Sequence, residues 1–182
     1  MLETKRVILR PWKDEDADEL YKYAKDPRVG PMAGWPPHTS VENSREIIRG
    51  VLSDPETYAV VLKSTGKPVG SVGIMIQGKG SAPMKAHEAE IGYWIGVPYW
   101  GQGLIPEAVC LLQRRCFEEL GCTAIWCGYF DGNEKSRSVQ EKCGFIYHHS
   151  EEVEVSLLGE RRTEHFSYIT REQWDYCTAK VK

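Results

Sequence analysis

The chain has 182 residues, 41% of them hydrophobic, and a formal net charge of −3, which predicts one globular domain with a sizeable core. Acidic and basic residues are interspersed, which argues against the clustered basic face of a nucleic-acid-binding protein. No apolar run approaches the roughly 18 residues that span a bilayer, and the chain opens without a signal-peptide pattern, so we expect no membrane partner and a cytoplasmic location.

The first half of the chain predicts one strand, two helices and three further strands. The first strand covers residues 5–12, and the helix that follows over 14–27 has acidic residues at its start, where the positive end of the helix dipole lies. The second helix is predicted to begin at Thr39, which forms a capping box with Glu42, and to end at Asp54. The three further strands cover residues 57–63, 68–77 and 88–97.

The second half alternates helices and strands before it ends in a strand pair. An apolar stripe predicts a helix over 105–120, with Gly121 as its C-terminal cap. A second helix, over 133–143, is closed by Gly144. The remaining elements are strands over 123–130, 145–155 and 161–170 and a helical turn over 171–176. Together these elements predict a single α/β domain over residues 1–182, with a mixed central sheet of about seven strands and helices on both faces.

Two glycines, Gly101 and Gly103, lie between a strand and a helix. The N–H groups at a helix start lack partners within the helix, and the helix dipole adds about half a positive charge there. Glycines let a phosphate approach such N–H groups, and Pro106 fits the first turn because it needs no donor there. These features predict an anion site, with an ordinary strand–helix turn as the alternative. Pro106 also occupies the third glycine position of a dinucleotide fingerprint, and no P-loop G-K-[ST] follows.

The helix over 133–143 begins with Asn133, a residue type that often caps helices, and carries Ser136 three residues later. Ser136 shares a helical face with Val139, Gln140 and Cys143. Because this face continues with apolar residues, we expect Ser136 to point into the protein near a strand end, where α/β sheets place their ligands.

Two stretches, AEIGYWIGVPYWGQGLIPEAV (89–109) and NEKSRSVQEKCGF (133–145), together resemble the GNAT acetyltransferases. More narrowly, they resemble the branch of ribosomal-protein-alanine (RimJ/RimL-type) N-acetyltransferases. The opening RVILRPWKDEDADEL (6–20) and the closing LLGERRTEHFSYITREQW (157–174) are similar to that branch as well. The resemblance therefore covers nearly the whole chain and implies a GNAT-like domain that uses acetyl-CoA.

The resemblance implies roles for three groups of residues around the coenzyme. The end of the strand would pair its backbone with the pantetheine arm, at residues Ile95, Gly96 and Val97. The loop before the helix would hold the pyrophosphate by its N–H groups, at residues Trp100, Gly101, Gln102, Gly103, Leu104 and Ile105. Asn133 and Ser136 would lie beside the arm and the thioester.

Two positions depart from the family's pattern. Pro98 stands where the acetyl-CoA loop usually begins with Gln or Arg, and Gln140 stands where many relatives have a tyrosine general acid. Both glycines of the loop remain, so the predicted binding of acetyl-CoA is kept. Ser136 becomes the candidate hydroxyl group for the proton donor.

Glu90 is the candidate general base for an amine that attacks a thioester. A carboxylate is unusual at the edge of a buried strand. Burial raises its pKa toward neutral pH, where a general base works best. The alternatives are that Glu90 pairs with a neighbouring cation, or that Glu88 on the same strand face is the base. An α-amine, with a pKa of ~8, is neutral at pH 7 far more often than a lysine amine, with a pKa of ~10.4, so a protein or peptide N-terminal amine is the preferred acceptor.

Two loops, over 29–38 and 78–87, are candidates for the walls of the acceptor site, with Trp35 and Met84 as the candidate contacts. A small-molecule amine is the alternative acceptor. A non-catalytic acyl-CoA-binding module and another phosphate-binding enzyme are the alternative functions.

We expect no metal site in this chain. None of the six cysteines forms a C-x-x-C pair. His148 and His149 are adjacent on a predicted strand, so their side chains are expected to point to opposite faces. The closing strand pair, which contains these histidines, is the candidate contact for a homodimer.

Overall fold

The computed structural model describes residues 2–76 and 78–179, and their helices and strands form one α/β domain. The strands are β1 (Leu2–Glu3), β2 (Val7–Arg10), β3 (Thr57–Leu62), β4 (Pro68–Ile76), β5 (Glu88–Ile95), β6 (Ala124–Phe130), β7 (Ile146–Val155) and β8 (Glu160–Thr170). The helices are α1 (Ala17–Ala24), α2 (Val41–Arg49), α3 (Leu104–Arg114), α4 (Glu134–Lys142) and α5 (Arg171–Ala179). None of the helices in these residues combines the length and hydrophobicity that crossing a bilayer requires.

Within the described residues, eight strands form one sheet in the order β1-β2-β3-β4-β5-β6-β8-β7. β5 and β6 are parallel, and every other neighbouring pair is antiparallel. The sheet is therefore mixed, as the sequence predicts. Its additional strand is β1, where Leu2 pairs with Leu9 of β2 at the sheet edge.

Helices cover both faces of the sheet, which confirms the predicted architecture. β3 shows the two faces, since Val60 packs in the core with α3, whereas its neighbours Ala59 and Val61 pack with α1 and α2. The side chains of α3 in this core are Leu104, Ile105, Ala108, Val109 and Leu112. Burial of each larger side chain stabilises the fold by about 1.5–3 kcal/mol, so α3 is held firmly against the sheet.

α2 begins one residue later than predicted. Ser40 Oγ accepts a hydrogen bond from Asn43 N at 3.0 Å, and Asn43 Oδ1 accepts one from Thr39 N at 3.1 Å. The capping pair is therefore Ser40 with Asn43, and the predicted box of Thr39 with Glu42 is wrong. Both pairs have the same spacing along the chain, and only the tertiary entry angle of the chain decides which one forms.

The C-terminal end of α3 differs from a regular helix. α3 ends at Arg114 and continues as a π-helical turn over Arg115–Glu119, in which Leu120 N donates to Arg115 O at 3.0 Å. Gly121 follows with φ at +68°, a left-handed conformation that favours glycine. The predicted glycine cap is confirmed.

β5 and β6 separate after a short parallel contact. Their pairing covers Glu88–Glu90 and ends there, while β4 pairs with β5 as far as Ile95. Gly96 N donates to Val69 O, so the backbone groups of Gly96 point toward β4. Because successive residues of a strand point their backbone groups to alternate sides, those of Ile91, Tyr93 and Ile95 point away from β4 and into the gap. The gap between β5 and β6 therefore presents an open strand edge inside the domain.

His148 and His149 lie together, against the prediction that they point to opposite faces. The β7–β8 register shifts between Tyr147 and His149, so His148 is the extra residue of a bulge. The Nδ1 atoms of the two histidines are 2.8 Å apart, and both rings pack edge-on against Trp126. The described residues contain no group of three potential metal ligands.

Candidate functional site

A cleft of about 910 Å³ opens where β5 and β6 separate. Its walls come from β5, β6, the starts of α3 and α4, the loop after α1 and the β7–β8 pair. Two regions of different chemistry lie in this one cleft. We describe the end beside α3 and α4 as the anion end and the end beside β8 and the loop after α1 as the acceptor end.

The anion end is formed by the loop that leads into α3. Gly101 and Gly103 have φ angles of +74° and +76°, which only glycine adopts without strain. Among the described residues, no atom accepts a hydrogen bond from the N–H groups of Gly101, Gln102, Gly103, Leu104 or Ile105. These donors lie at the positive end of α3, which is the arrangement that binds a phosphate group.

The loop at the anion end is held from outside the cleft. Arg6 Nη1 donates to Gln102 O at 2.9 Å, and Arg6 also forms an ion pair with Glu107 of α3 at 2.5 Å. Lys135 and Lys142 of α4 line the same cleft, and Lys135 Nζ lies 4.6 Å from the centre of the Trp100 ring. The anion end thus combines unpartnered N–H groups with two lysine side chains.

Most of the predicted coenzyme residues line this cleft, and three do not. The residues that line it are Ile95, Trp100, Gly101, Gly103, Leu104, Ile105, Asn133 and Ser136. Gly96, Val97 and Gln102 are not among the lining residues. Gly96 packs against the ring of Tyr23, Val97 O accepts from Trp100 N at 3.2 Å, and Gln102 Nε2 donates to Pro98 O at 2.9 Å. These contacts shape the loop.

Two hydroxyl groups meet in the middle of the cleft. Ser136 Oγ lies 2.8 Å from Tyr93 Oη, which also donates to Ser136 O at 3.1 Å. Burial raises the pKa of Tyr93 well above its ordinary value. Gln140, at the position of the family's tyrosine, is only 1% exposed and donates to Gly128 O at 3.0 Å. Tyr93 was not predicted from the sequence, although a regular strand places it on the same face as Ile91 and Ile95.

Asn133 connects the two ends of the cleft. Its Oδ1 accepts from Ser136 N at 3.2 Å, which confirms the predicted N-cap of α4. Its Nδ2 donates to Met32 O at 3.4 Å, in the loop after α1. Both polar groups of the Asn133 amide are therefore engaged within the protein.

The acceptor end has two buried carboxyl groups at its base, those of Glu90 and Glu164, with exposed fractions of 5% and 7%. Glu90 Oε2 accepts from Ala82 N at 2.8 Å, and Ser81 Oγ lies 3.2 Å from an oxygen of each carboxyl group. Burial raises the pKa of Glu90. Burial and then repulsion from Glu90 raise the pKa of Glu164 to about 7. A carboxyl group with a pKa near 7 suits proton transfer near neutral pH.

The alternatives for Glu90 can be compared with this geometry. In the part of the chain that the structure describes, Glu90 has no ion-pair partner. The alternative that Glu90 pairs with a neighbouring cation therefore has no support. Glu88 lies outside the cleft and accepts hydrogen bonds from Trp126 Nε1 at 2.8 Å and Lys85 N at 2.9 Å. Glu164 was missed by the sequence analysis, although it shares a strand face with Phe166 and Tyr168.

Apolar residues form the walls of the acceptor end, among them Val29, Met32, Phe130, Val153 and Val155. The loop after α1 is held over these walls by Arg162, whose Nη1 donates to Pro31 O at 2.5 Å. Trp35 and Met84 are not among the lining residues. Trp35 packs on Trp94 with ring centres 5.6 Å apart, and Met84 packs against the cluster of Trp126 and Phe166.

Comparison with known proteins agrees on one family. A family model described as "Acetyltransferase (GNAT) domain" matches residues 6–146. An uncharacterized N-acetyltransferase, p20 of Bacillus licheniformis, is 31% identical over 129 residues, which cover 68% of this chain and 70% of that protein.

Solved structures share the fold. The ribosomal-protein-S5-alanine acetyltransferase from Vibrio fischeri has a TM-score of 0.71 and 21% identity, over 94% of this chain and 97% of that one. AAC(6')-Ib in complex with ribostamycin and coenzyme A has a TM-score of 0.70 and 18% identity, over 93% of this chain and 96% of that one. At these identities the likeness concerns the fold alone.

Proposed function

Since the chain belongs to the GNAT acetyltransferase family, we propose that it moves the acetyl group of acetyl-CoA to the N-terminal α-amine of a protein or peptide. The observation that carries this proposal is the continuity of the cleft. It joins five unpartnered N–H groups at one end to two buried carboxyl groups at the other. An anionic acetyl donor and an amine acceptor therefore have complementary places in one site.

The anion end supports binding of the coenzyme's phosphates. The N–H groups from Gly101 to Ile105 donate to the diphosphate, and the dipole of α3 favours negative charge there. Lys135 and Lys142 add positive charge in the same cleft. The open edge of β5 offers backbone groups to the pantetheine arm, chiefly at Tyr93, because the carbonyl groups of Ile91 and Ile95 already accept from Cys127 Sγ and Trp100 Nε1.

Acetyl-CoA supplies an activated acetyl group, and side chains of the cleft accept and donate the protons that the reaction transfers. We assign Glu90 as the general base that takes a proton from the acceptor's ammonium group. Ser136, held by Tyr93, is the hydroxyl donor toward the departing thiolate. An α-amine has a pKa of ~8, so a carboxyl group with a raised pKa is a sufficient base.

The acceptor end favours an amine with an apolar neighbourhood. Its base carries two carboxyl groups, and its walls are largely aliphatic or aromatic. A peptide N-terminus with a small or apolar first residue fits this arrangement, and the Vibrio fischeri neighbour bears the name of a ribosomal-protein-alanine enzyme. We therefore propose that the chain belongs to the RimJ/RimL-type branch. A small-molecule amine is the second candidate, because the neighbour with ribostamycin shares the fold.

An acceptor panel tests the proposal. The protein is incubated with acetyl-CoA and either peptides of varied first residue or small amines, including a polyamine and an aminoglycoside. We expect some peptides to gain the mass of one acetyl group while free CoA thiol is released. Acetylation of small amines alone would favour the second candidate. Binding of acetyl-CoA with no transfer to any acceptor would favour a non-catalytic acyl-CoA-binding module.

The Glu90→Gln variant tests the assignment of the base. We expect turnover to fall by about 10²-fold or more, the usual contribution of a general base, while the dissociation constant for acetyl-CoA stays within about twofold of wild type because Glu90 lies at the other end of the cleft. Unchanged turnover with the correct acceptor would remove Glu90 from the mechanism.

A domain spanning residues 1–182, a cytoplasmic location and a homodimer through the closing strand pair stay predictions.

A further inference from the structure

We propose that Glu164 is a second catalytic carboxyl group, which binds the acceptor's ammonium group together with Glu90 and holds the proton that the pair shares. This inference rests on the proposed acetyl transfer and concerns the acceptor end of the same cleft. Glu164 is on β8 and Glu90 is on β5, and both carboxyl groups line the cleft.

The two carboxyl groups meet at one hydroxyl group. Ser81 Oγ lies 3.2 Å from Glu90 Oε1 and 3.2 Å from Glu164 Oε1. A hydroxyl group has one hydrogen to donate but can also accept. Both contacts become hydrogen bonds when one carboxyl group is protonated and donates to Ser81, while Ser81 donates to the other. The geometry therefore suits a pair that carries one proton.

The backbone leaves space for both carboxyl groups. A Cβ atom at Gly80 would lie 1.9 Å from Glu90 Oε2, and a Cβ atom at Gly128 would lie 2.2 Å from Glu164 Oε1. Each carboxyl group is thus seated against a glycine where a larger residue would displace it. Two independent segments of the chain accommodate the pair at the base of the cleft.

The pair has no positive partner of its own. Among the described residues, no Lys, Arg or His forms an ion pair with Glu90 or Glu164. The titratable groups that face Glu164 are Glu90 of β5, Glu151 of β7 and the Cys127 thiol of β6. A buried negative site without a counter-ion is stabilised by a cation that enters it, and the acceptor's ammonium group is such a cation.

The protons balance as follows. Glu90 and Glu164 start with one proton between them, shared through Ser81, so the pair presents one negative charge to the ammonium group. The ammonium group gives one proton to Glu90, and the neutral nitrogen attacks the thioester carbonyl carbon. The C–N bond forms and the C–S bond breaks, while Ser136 donates its proton to the departing thiolate and recovers one from the nitrogen. The proton on Glu90 then leaves through Ser81, whose side chain is exposed, which restores the starting pair.

The Glu164→Gln variant tests this role with two kinds of acceptor. With an acceptor that is protonated at the assay pH, we expect kcat/KM to fall by about 10²-fold. We also expect the acidic limb of its pH profile to move to lower pH, because the repulsion between the two carboxyl groups, which raises the pKa, has been removed. With an amine that is uncharged at the assay pH, we expect the loss to be less than about threefold, since no proton has to be removed before attack.

Four comparisons can refute this assignment. Equal losses with charged and uncharged amines, or an unmoved pH profile, would show that Glu164 is merely structural. Ser81→Ala, in an exposed loop, serves if Glu164→Gln fails to fold, and it should also move the acidic limb. Glu152→Gln, an exposed carboxyl group on β7 outside the cleft, is the matched control and should match wild type. A wild-type protein that binds acetyl-CoA but transfers nothing would overturn the proposed function and this assignment with it.

Discussion

Glu164 links the ionisation of one residue to the stability of the fold. Its side chain is buried, and its pKa is raised to about 7 by burial and by repulsion from Glu90. In the unfolded chain a glutamate keeps its ordinary pKa of ~4.3. The folded protein therefore binds the proton more tightly, so this stabilising contribution is complete below the ordinary pKa and is lost as the pH rises through about 7.

We predict that replacing Glu164 with Gln makes stability less dependent on pH. Between about pH 5 and about pH 8, the wild-type free energy of unfolding should fall by about 2 kcal/mol more than that of the variant. Urea unfolding of both proteins at the two pH values measures this difference. Glu152→Gln, which removes an exposed carboxyl group, should behave like wild type. Equal pH slopes for wild type and Glu164→Gln would contradict the raised pKa.

At the scale of the element, the loop before α3 shows why glycine is needed at a helix start. Gly101 and Gly66 have similar φ angles, +74° and +68°, and an added Cβ would meet no atom within 4 Å at either position. Replacement by Ala should therefore cost each site a similar ~1–2 kcal/mol of stability. The difference is that Gly101 lines the cleft and Gly66 lies in the turn between β3 and β4.

We predict that Gly101→Ala weakens acetyl-CoA binding by about tenfold or more, because in the proposed site the N–H groups of the loop donate charge-assisted hydrogen bonds to the phosphates. Gly66→Ala should leave the dissociation constant unchanged. Isothermal titration with acetyl-CoA measures both. If the two variants bind the coenzyme equally well, the loop before α3 is not the phosphate site.

A second prediction at this scale concerns the start of α2. Ser40→Ala removes the hydroxyl that accepts from Asn43 N and should cost about 1 kcal/mol of stability. Thr39→Ala should cost less than about 0.5 kcal/mol, because within the described residues the Thr39 hydroxyl caps no N–H group of α2. Denaturant unfolding compares the two, and a larger loss for Thr39→Ala would restore the capping box first inferred from the sequence.

At the scale of the whole molecule, ligand binding and folding are coupled. A ligand at about 100 times its dissociation constant adds roughly 2.7 kcal/mol to the free energy of unfolding. We predict that acetyl-CoA raises the melting temperature and that ATP and NAD at the same concentration raise it less. The cleft offers an open strand edge beside the anion end, and of these three ligands only acetyl-CoA has a pantetheine arm that can pair with it. Equal shifts with all three would favour a general phosphate-binding protein.

The sequence by itself determined the order and type of the helices and of every strand except β1, together with the glycine loop before α3. Hydrophobic spacing identified α3 and β5 because burial on one face leaves a period that can be counted along the chain. The glycines before α3 and the cap at Asn133 were readable because backbone conformation and capping are local requirements. The family could be recognised for the same reason, since its motif lies within two continuous stretches.

Only the tertiary structure decided the acceptor end and the details of pairing. Trp35 and Met84 lie in the expected loops, but packing turns them toward the core rather than the cleft. Glu164 meets Glu90 only because β8 inserts between β6 and β7, a contact between distant parts of the chain that no local pattern records. The same holds for the two-residue β1 and for the bulge at His148. Both depend on hydrogen bonds with a neighbouring strand, which the strand propensity of the residues themselves does not predict.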